Sequence, residues 1–300
     1  MPELPEVETV RRHLARCVPG AQIRRVRVLR ATTIAGLTPG AFARRVRGRT
    51  FGRPQRRGKV LFLPLDDGAT LLVHLRMTGQ LYCAPRGAAP WPPHTRTAFE
   101  LASGHDLLFV DARTFGRIEW CAPGCVEAAA ALRNVGPDPL CGGSCLVALR
   151  AAIAGRSGNI KSFLLDQRRL AGLGNIYASE VLHRARISPF SRCSDLDEAA
   201  VRRLATAIRD ILQAAIKHCG TTISSYRWAG SRAGGFRRFL RVYGHAGERC
   251  RRRGSPGTIA RSKQAGRSTY WCPACQAPAP RPRALSRPHS RRSPRSASER

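Results

Sequence analysis

The opening residues, Met1-Pro2-Glu3-Leu4-Pro5-Glu6-Val7-Glu8, hold the densest chemistry in the chain. A small second residue permits removal of Met1, which would leave Pro2 as a free secondary amine. A terminal amine titrates near ~8, against about 10.4 for lysine, so part of it is neutral and nucleophilic at cellular pH. Its adduct with a sugar aldehyde is an obligatory iminium, a cationic electron sink. Beside it, Glu3 and Glu6 could give protons to a leaving group or a sugar oxygen. Taken alone, the segment also fits an ordinary helix start, whose first turn and dipole suit Pro5 and the glutamates.

A second group is Arg56-Arg57-Gly58-Lys59-Val60, a basic turn entering a strand. Lys59, Lys161, Lys217 and Lys263 are the chain's lysines, every other strong cation being arginine, so a deprotonatable amine is scarce and each lysine is a candidate for work that needs one. A third group comprises His74-Leu75-Arg76-Met77-Thr78-Gly79 and Asp111-Ala112-Arg113-Thr114-Phe115-Gly116. Met77 offers a flexible thioether, Phe115 a flat ring and Arg113 a planar fork of donors, each beside a glycine turn. Met77 or Phe115 considered singly would equally suit core packing.

The charge balance points to a polyanionic partner. Lys plus Arg number 52 against 19 Asp plus Glu, a formal net charge of +33, which favours a polyanion bound through phosphate contacts and counterion release. Residues 279–300 carry seven Arg and one Glu, about +6, so most of the excess lies in the body. No apolar run approaches the roughly 20 residues of a membrane span, and the acidic start is unlike a signal peptide, so a cytoplasmic protein is expected. Eleven cysteines scattered over a long chain read mostly as reduced and structural.

These residues need elements to hold them. Val7, Val10, Leu14 and Val18 fall at helical spacing, predicting one helix over 3–18 that anchors the terminus. From 22 to 120 short strands follow, among them 59–65, 70–77, 96–101 and 106–111, punctuated by Gly and Pro clusters that predict an antiparallel sandwich or barrel. After Gly136-Pro137-Asp138-Pro139 the periodicity turns helical. Residues 160–186 read as two helices split by Gly172-Leu173-Gly174-Asn175, with Asn175 as N-cap, and 196–217 as another. The fold class is α+β, with an N-terminal antiparallel β-sandwich flanked by helices and a C-terminal helix-two-turns-helix domain ending in a finger-like β-hairpin. The expected divisions are 1–122, a linker at 123–140, 141–277 with the finger from about 244, and a disordered basic tail at 278–300.

From Met1 to about Gln276 the chain resembles formamidopyrimidine-DNA glycosylase, the bacterial family that repairs 8-oxoguanine. The resemblance implies Pro2 as nucleophile, Glu3 as general acid with Glu6 beside it, and Lys59 as an acid or base that assists strand cleavage and touches phosphate. Extruding a damaged base costs a few kcal/mol and leaves a hole in the duplex; the resemblance makes Met77, Arg113 and Phe115 the residues that fill it, Met77 entering the stack, Phe115 wedging it and Arg113 facing the orphaned base, and makes His74, His94, Lys161 and Asn175 DNA contacts. The activity implied is removal of oxidised purines from damaged double-stranded DNA, then β- and δ-elimination, by a monomer. Residues 220–236, with Gly234-Gly235, resemble the family's mobile loop over the flipped lesion.

The chain departs from the family at its end. A four-cysteine zinc finger is implied, but Cys250 is followed by Arg253 where the second ligand belongs, and eighteen residues, not sixteen, separate that position from Cys272; Cys275 completes the set. A guanidinium cannot ligate a metal, so three thiolates remain unless His245 or another group moves in, and packing of Tyr270 and Trp271 is the other way to hold the hairpin. Arg267 matches the arginine this finger delivers to the lesion phosphate. Two other readings compete: a related endonuclease VIII-like enzyme for oxidised pyrimidines, which opens with glycine where Leu4 stands and lacks the Met77, Arg113 and Phe115 set, and a DNA-binding homologue without catalysis.

Overall fold

The computed structural model describes residues 1–87, 89–140, 145–223 and 226–277. The tail at 278–300 lies outside the described residues. Helix α1 (Leu4–Leu14) opens the chain. It ends four residues earlier than its apolar spacing suggested, because Pro19 and Gly20 follow, yet Val18 stays buried through a turn that returns its N–H to the Leu14 carbonyl at 2.9 Å.

The strands β1 (Ile23–Val28), β2 (Ile34–Ala35), β3 (Gln55–Arg57), β4 (Val60–Pro64), β5 (Thr70–His74), β6 (Gln80–Pro85), β7 (Thr95–Leu101), β8 (His105–Val110) and β9 (Arg117–Cys121) form two sheets, with helix α2 (Pro39–Val46) between β2 and β3. One sheet runs β1-β7-β8-β6 and the other β2-β9-β5-β4-β3. All pairings are antiparallel except β2 with β9, a two-residue parallel contact. Alternation builds the core: Leu61 and Leu63, Leu71 and Val73, Phe99 and Leu101, Leu107 and Phe109 turn one way along their strands and pack together with Val7, Val10 and Leu14 of α1. On the other face Val60 and Leu72 are also buried, by Ala129 and Leu132 from the segment after β9. That cover explains why β5 is apolar almost throughout.

Helices α3 (Cys145–Ile153), α4 (Ile160–Leu165), α5 (Asn175–Ala185) and α6 (Glu198–Lys217) enclose a second core, in which Leu204, Ile208, Leu212 and Ala215 supply one face of α6. Leu4 belongs to this core although Val7 and Val10 belong to the first, so α1 is shared between the two. Strands β10 (Ala260–Gln264) and β11 (Arg267–Trp271) make a separate hairpin docked on α5.

Candidate active site

The first turn of α1 is inserted into the loop between α4 and α5. Leu4 N–H donates to the Gly172 carbonyl at 2.9 Å. The Glu3 carboxylate receives the N–H of Gly174 at 2.6 Å, of Ile176 at 3.0 Å and of Tyr177 at 3.4 Å, and so caps α5 from another part of the chain. This corrects the expectation for Asn175: Gly174 is the N-cap residue, and the capping oxygen is supplied by Glu3. The loop must be glycine where it meets α1, since a Cβ on Gly174 would stand 2.4 Å from the Glu3 carboxyl carbon and one on Gly172 2.5 Å from Leu4 Cδ1.

The same loop receives the Lys59 hairpin. Lys59 is 6% exposed, and its amine donates to the Leu173 carbonyl at 2.7 Å. Gly58 N–H donates to Asp138 at 2.7 Å, and Asp138 also pairs with the buried Arg56 guanidinium. Burial pushes the Lys59 amine down to about 8, opposed by the Glu3 charge and assisted by the field of Arg267. Burial raises the Glu3 carboxyl, with Lys59 and the three backbone N–H groups opposing. Pro2, next to Glu3 in the chain, is buried, and Met1 before it is 49% exposed.

Glu6, expected beside Glu3 as a second proton donor, is the centre of its own set of bonds. Its carboxylate accepts Glu3 N–H at 2.8 Å, the Tyr177 hydroxyl at 2.5 Å and Thr221 N–H at 2.6 Å. Burial and the neighbouring Glu3 charge push it up to about 7. At 2% exposure it is walled in and holds residue 3 in position. The expected lesion loop also packs here: Tyr226 is buried in the sandwich core and donates its hydroxyl to the Glu6 carbonyl at 3.3 Å, while Ser224 and Ser225 lie outside the described residues.

Met77, Arg113 and Phe115 come together at a second place. Met77 is 40% and Phe115 47% exposed. The Arg113 guanidinium lies 4.8 Å from the Phe115 ring centre and donates to the Met77 sulfur at 3.4 Å. The buried Asp111 carboxylate, which sequence reasoning quoted but gave no role, ties the two loops: it accepts the Thr78 hydroxyl from one, and from its own loop Arg113 N–H at 3.2 Å and Gly116 N–H at 2.7 Å. Arg76, Thr114 and His94 all have positive φ (53°, 57° and 68°), a strained state that recurs at functional loops. His94 is exposed beside Arg96, whereas His74 is held neutral, burial pushing it down to about 3, and its Nδ1 accepts Arg76 N–H at 3.0 Å.

Lys161 is not presented to solvent as a free phosphate ligand would be. It is 1% exposed, and its amine donates to the Ser268 carbonyl at 3.0 Å and Thr269 Oγ1 at 2.7 Å. Asn175 Nδ2 reaches the same Ser268 carbonyl at 2.9 Å. Both brace the hairpin that carries Arg267, which is exposed and whose field reaches Lys59 and Lys161.

At the hairpin's far end Cys250, Cys272 and Cys275 lie close enough together to bind a metal ion. Cys250 Sγ is 3.8 Å from Cys275 Sγ, and Ser255 Oγ lies 3.1 Å from Cys275 Sγ and 3.6 Å from Cys272 Sγ. Arg253 is exposed, and His245 bonds Glu248 at 2.9 Å instead of joining the sulfurs. The ten cysteines among the described residues are unbridged. No helix among them is long and apolar enough to cross a membrane.

Known proteins share this arrangement along nearly the whole chain. The model of the formamidopyrimidine-DNA glycosylase N-terminal domain matches residues 1–118, and that of the same family's H2TH domain matches residues 135–227. A formamidopyrimidine-DNA glycosylase of Pelotomaculum thermopropionicum is 43% identical over 278 residues, 92% of this chain and 99% of its own length. The namesake from Moorella thermoacetica is 44% identical, covering 85% and 93%. Among solved structures, Lactococcus lactis Fpg bound to DNA with an abasic site superposes with a TM-score of 0.84 at 35% identity, covering 92% of this chain and 99% of that one. MutM (Fpg) of Thermus thermophilus gives 0.81 at 37%, covering 93% and 100%. With both family domains matched in order and relatives above 40% identity end to end, the chain belongs to the formamidopyrimidine-DNA glycosylase family.

Proposed function

We propose that the chain is a bifunctional DNA glycosylase and abasic-site lyase of base excision repair, which removes oxidised purines from duplex DNA with Pro2 as its nucleophile. The observation that carries this reading is the seam in which Glu3, Leu4 and Lys59 are gathered from two regions of the chain onto the 172–174 loop, with Pro2 next to Glu3 in the chain and buried. Relatives solved with abasic-site DNA and with Fapy-dG DNA support the substrate class. Once Met1 is removed, the Pro2 nitrogen attacks C1′ of a nucleotide swung out of the helix and the C1′–base bond breaks. Glu3, its carboxyl raised by burial, supplies a proton. The C1′–O4′ bond then breaks, O4′ taking up a proton, which leaves an iminium at C1′; this draws electrons from the sugar, the C2′ proton is removed and the 3′ phosphate leaves. A second elimination releases the 5′ phosphate, leaving DNA nicked on both sides. Lys59 and Arg267 offer cations to those phosphates, and Met77, Arg113 and Phe115 occupy the gap left in the duplex.

The division into a catalytic domain at 1–122, a linker at 123–140 and a DNA-binding domain at 141–277 belongs to this reading. Its support is the existence of two separate cores, with α1 shared between them. Action as a monomer in the cytoplasm is part of this proposal. One structural zinc held by the Cys250, Cys272 and Cys275 thiolates would stiffen the hairpin that presents Arg267.

The test is borohydride trapping and strand cleavage on duplexes carrying 8-oxoguanine or thymine glycol. We expect a covalent adduct and a double nick, faster on 8-oxoguanine. Preference for thymine glycol would favour the oxidised-pyrimidine enzyme, and binding without any adduct would favour a homologue that only holds DNA.

A further inference from the structure

The loss of a cysteine at position 253 is answered from outside the finger. His183, near the end of α5, is 4% exposed, and its Nε2 lies 3.4 Å from Cys250 Sγ. The ligand atoms of His183, Cys250 and Cys275 all lie within 4.8 Å of one another. Cys272, fully buried in the same apolar cluster, stands next to that group, its Sγ 3.6 Å from Ser255 Oγ, which lies 3.1 Å from Cys275 Sγ.

Two of these separations match the edges of a coordination shell. With metal–sulfur bonds of about 2.3 Å and metal–nitrogen bonds of about 2.0 Å, the edges of a tetrahedron are about 3.8 Å between sulfurs and about 3.6 Å between sulfur and nitrogen. The observed values are 3.8 Å for Cys250 to Cys275 and 3.4 Å for Cys250 to His183. A disulfide would instead bring its sulfurs to about 2.05 Å. Ordinary packing would give a buried imidazole an oxygen acceptor, whereas this Nε2 faces thiols.

We infer that this chain holds a divalent, zinc-type cation through His183, Cys250, Cys272 and Cys275, the α5 histidine standing in for the finger's missing cysteine. On binding, the three thiols release their protons, and His183 gives the Nε2 lone pair while Nδ1 keeps the ring proton. Other contacts bring the hairpin to the same place: Arg252 donates to the His183 carbonyl and Gln276 Nε2 to the Ile187 carbonyl at 2.8 Å. The cation therefore bolts the hairpin to α5, whose other end is capped by Glu3. A conventional finger closes only on itself. The inference deepens the zinc reading above and is independent of the catalytic one.

The test uses full-length protein stripped of metal and titrated with cobalt(II), followed by zinc competition. One equivalent should bind, with visible bands of tetrahedral cobalt and thiolate charge transfer. His183→Ala should lose more affinity than the roughly 10–100-fold that removal of a ligand's outer partner costs. His183→Cys should restore binding with stronger charge transfer. X-ray absorption at the zinc edge of the unmutated protein should give one nitrogen and three sulfurs, a result that does not depend on any variant folding. Failure of the unmutated protein to take up a stoichiometric ion would overturn the zinc reading and this one together. Uptake with an all-sulfur shell, or His183→Ala matching the unmutated protein in affinity and spectrum, would overturn the histidine's part alone.

Discussion

The seam around Glu3 and the tip formed by Met77, Arg113 and Phe115 are built on opposite terms. In the seam, Glu3, Glu6 and Lys59 are at most 6% exposed and their polar atoms are bonded to backbone more than 100 residues away. At the tip, Met77 and Phe115 are at least 40% exposed, and the order there comes from Asp111 underneath. Groups that must meet a reacting carbon within tenths of an ångström are fixed in advance, so no ordering cost falls on the chemical step. Groups that must enter a duplex have to stay exposed, and their burial is completed by DNA.

This contrast is broken most severely at Glu3. Glu3→Gln keeps an oxygen for the α5 cap but has no proton to give, so base release should slow by roughly 10²–10⁴-fold. Affinity for duplex and trapping on a preformed abasic site should survive. Base release at the normal rate would reduce Glu3 to a helix cap. At the tip the split should reverse: Phe115→Ala should weaken binding of lesion duplex by roughly 1–3 kcal/mol, the worth of one stacked base, with little change in the single-turnover rate at saturation. Equal losses in both would place Phe115 in the chemistry.

A smaller effect sharpens the seam itself. Lys59 is held down to about 8, so its ammonium form is complete well below that pH and is lost as pH rises through it. If the ammonium is the working form, cleavage of a preformed abasic site should fall above pH 8 by about tenfold per pH unit, and Lys59→Arg should flatten the fall. A rate that climbs through pH 8 would make the free amine, acting as a base, the working form.

What was legible in the sequence divides along the same line. The tip residues sit in short local motifs, and the strands bearing them follow from alternation. β6 escapes although it is longer than β4 or β5, because Leu81-Tyr82-Cys83-Ala84 does not alternate, and α2 because it is only eight residues long. In the seam, Pro2, Glu3 and Lys59 were legible as reactive types, but their partners were not. The cap that local spacing assigns to Asn175 is made by a residue 173 positions from Ile176, and one of the three bonds that Glu6 accepts comes from Thr221, 215 positions away. Lys161 and His183 likewise find their partners in the hairpin, across contacts that no local spacing encodes.

The account turns on the Pro2 nitrogen. Borohydride-reduced protein–DNA adduct, digested and sequenced by mass spectrometry, should carry its sugar remnant on an N-terminal peptide that begins at Pro2, with Met1 absent. A remnant on Lys59 or another side-chain amine, or on a peptide that retains Met1, would contradict it.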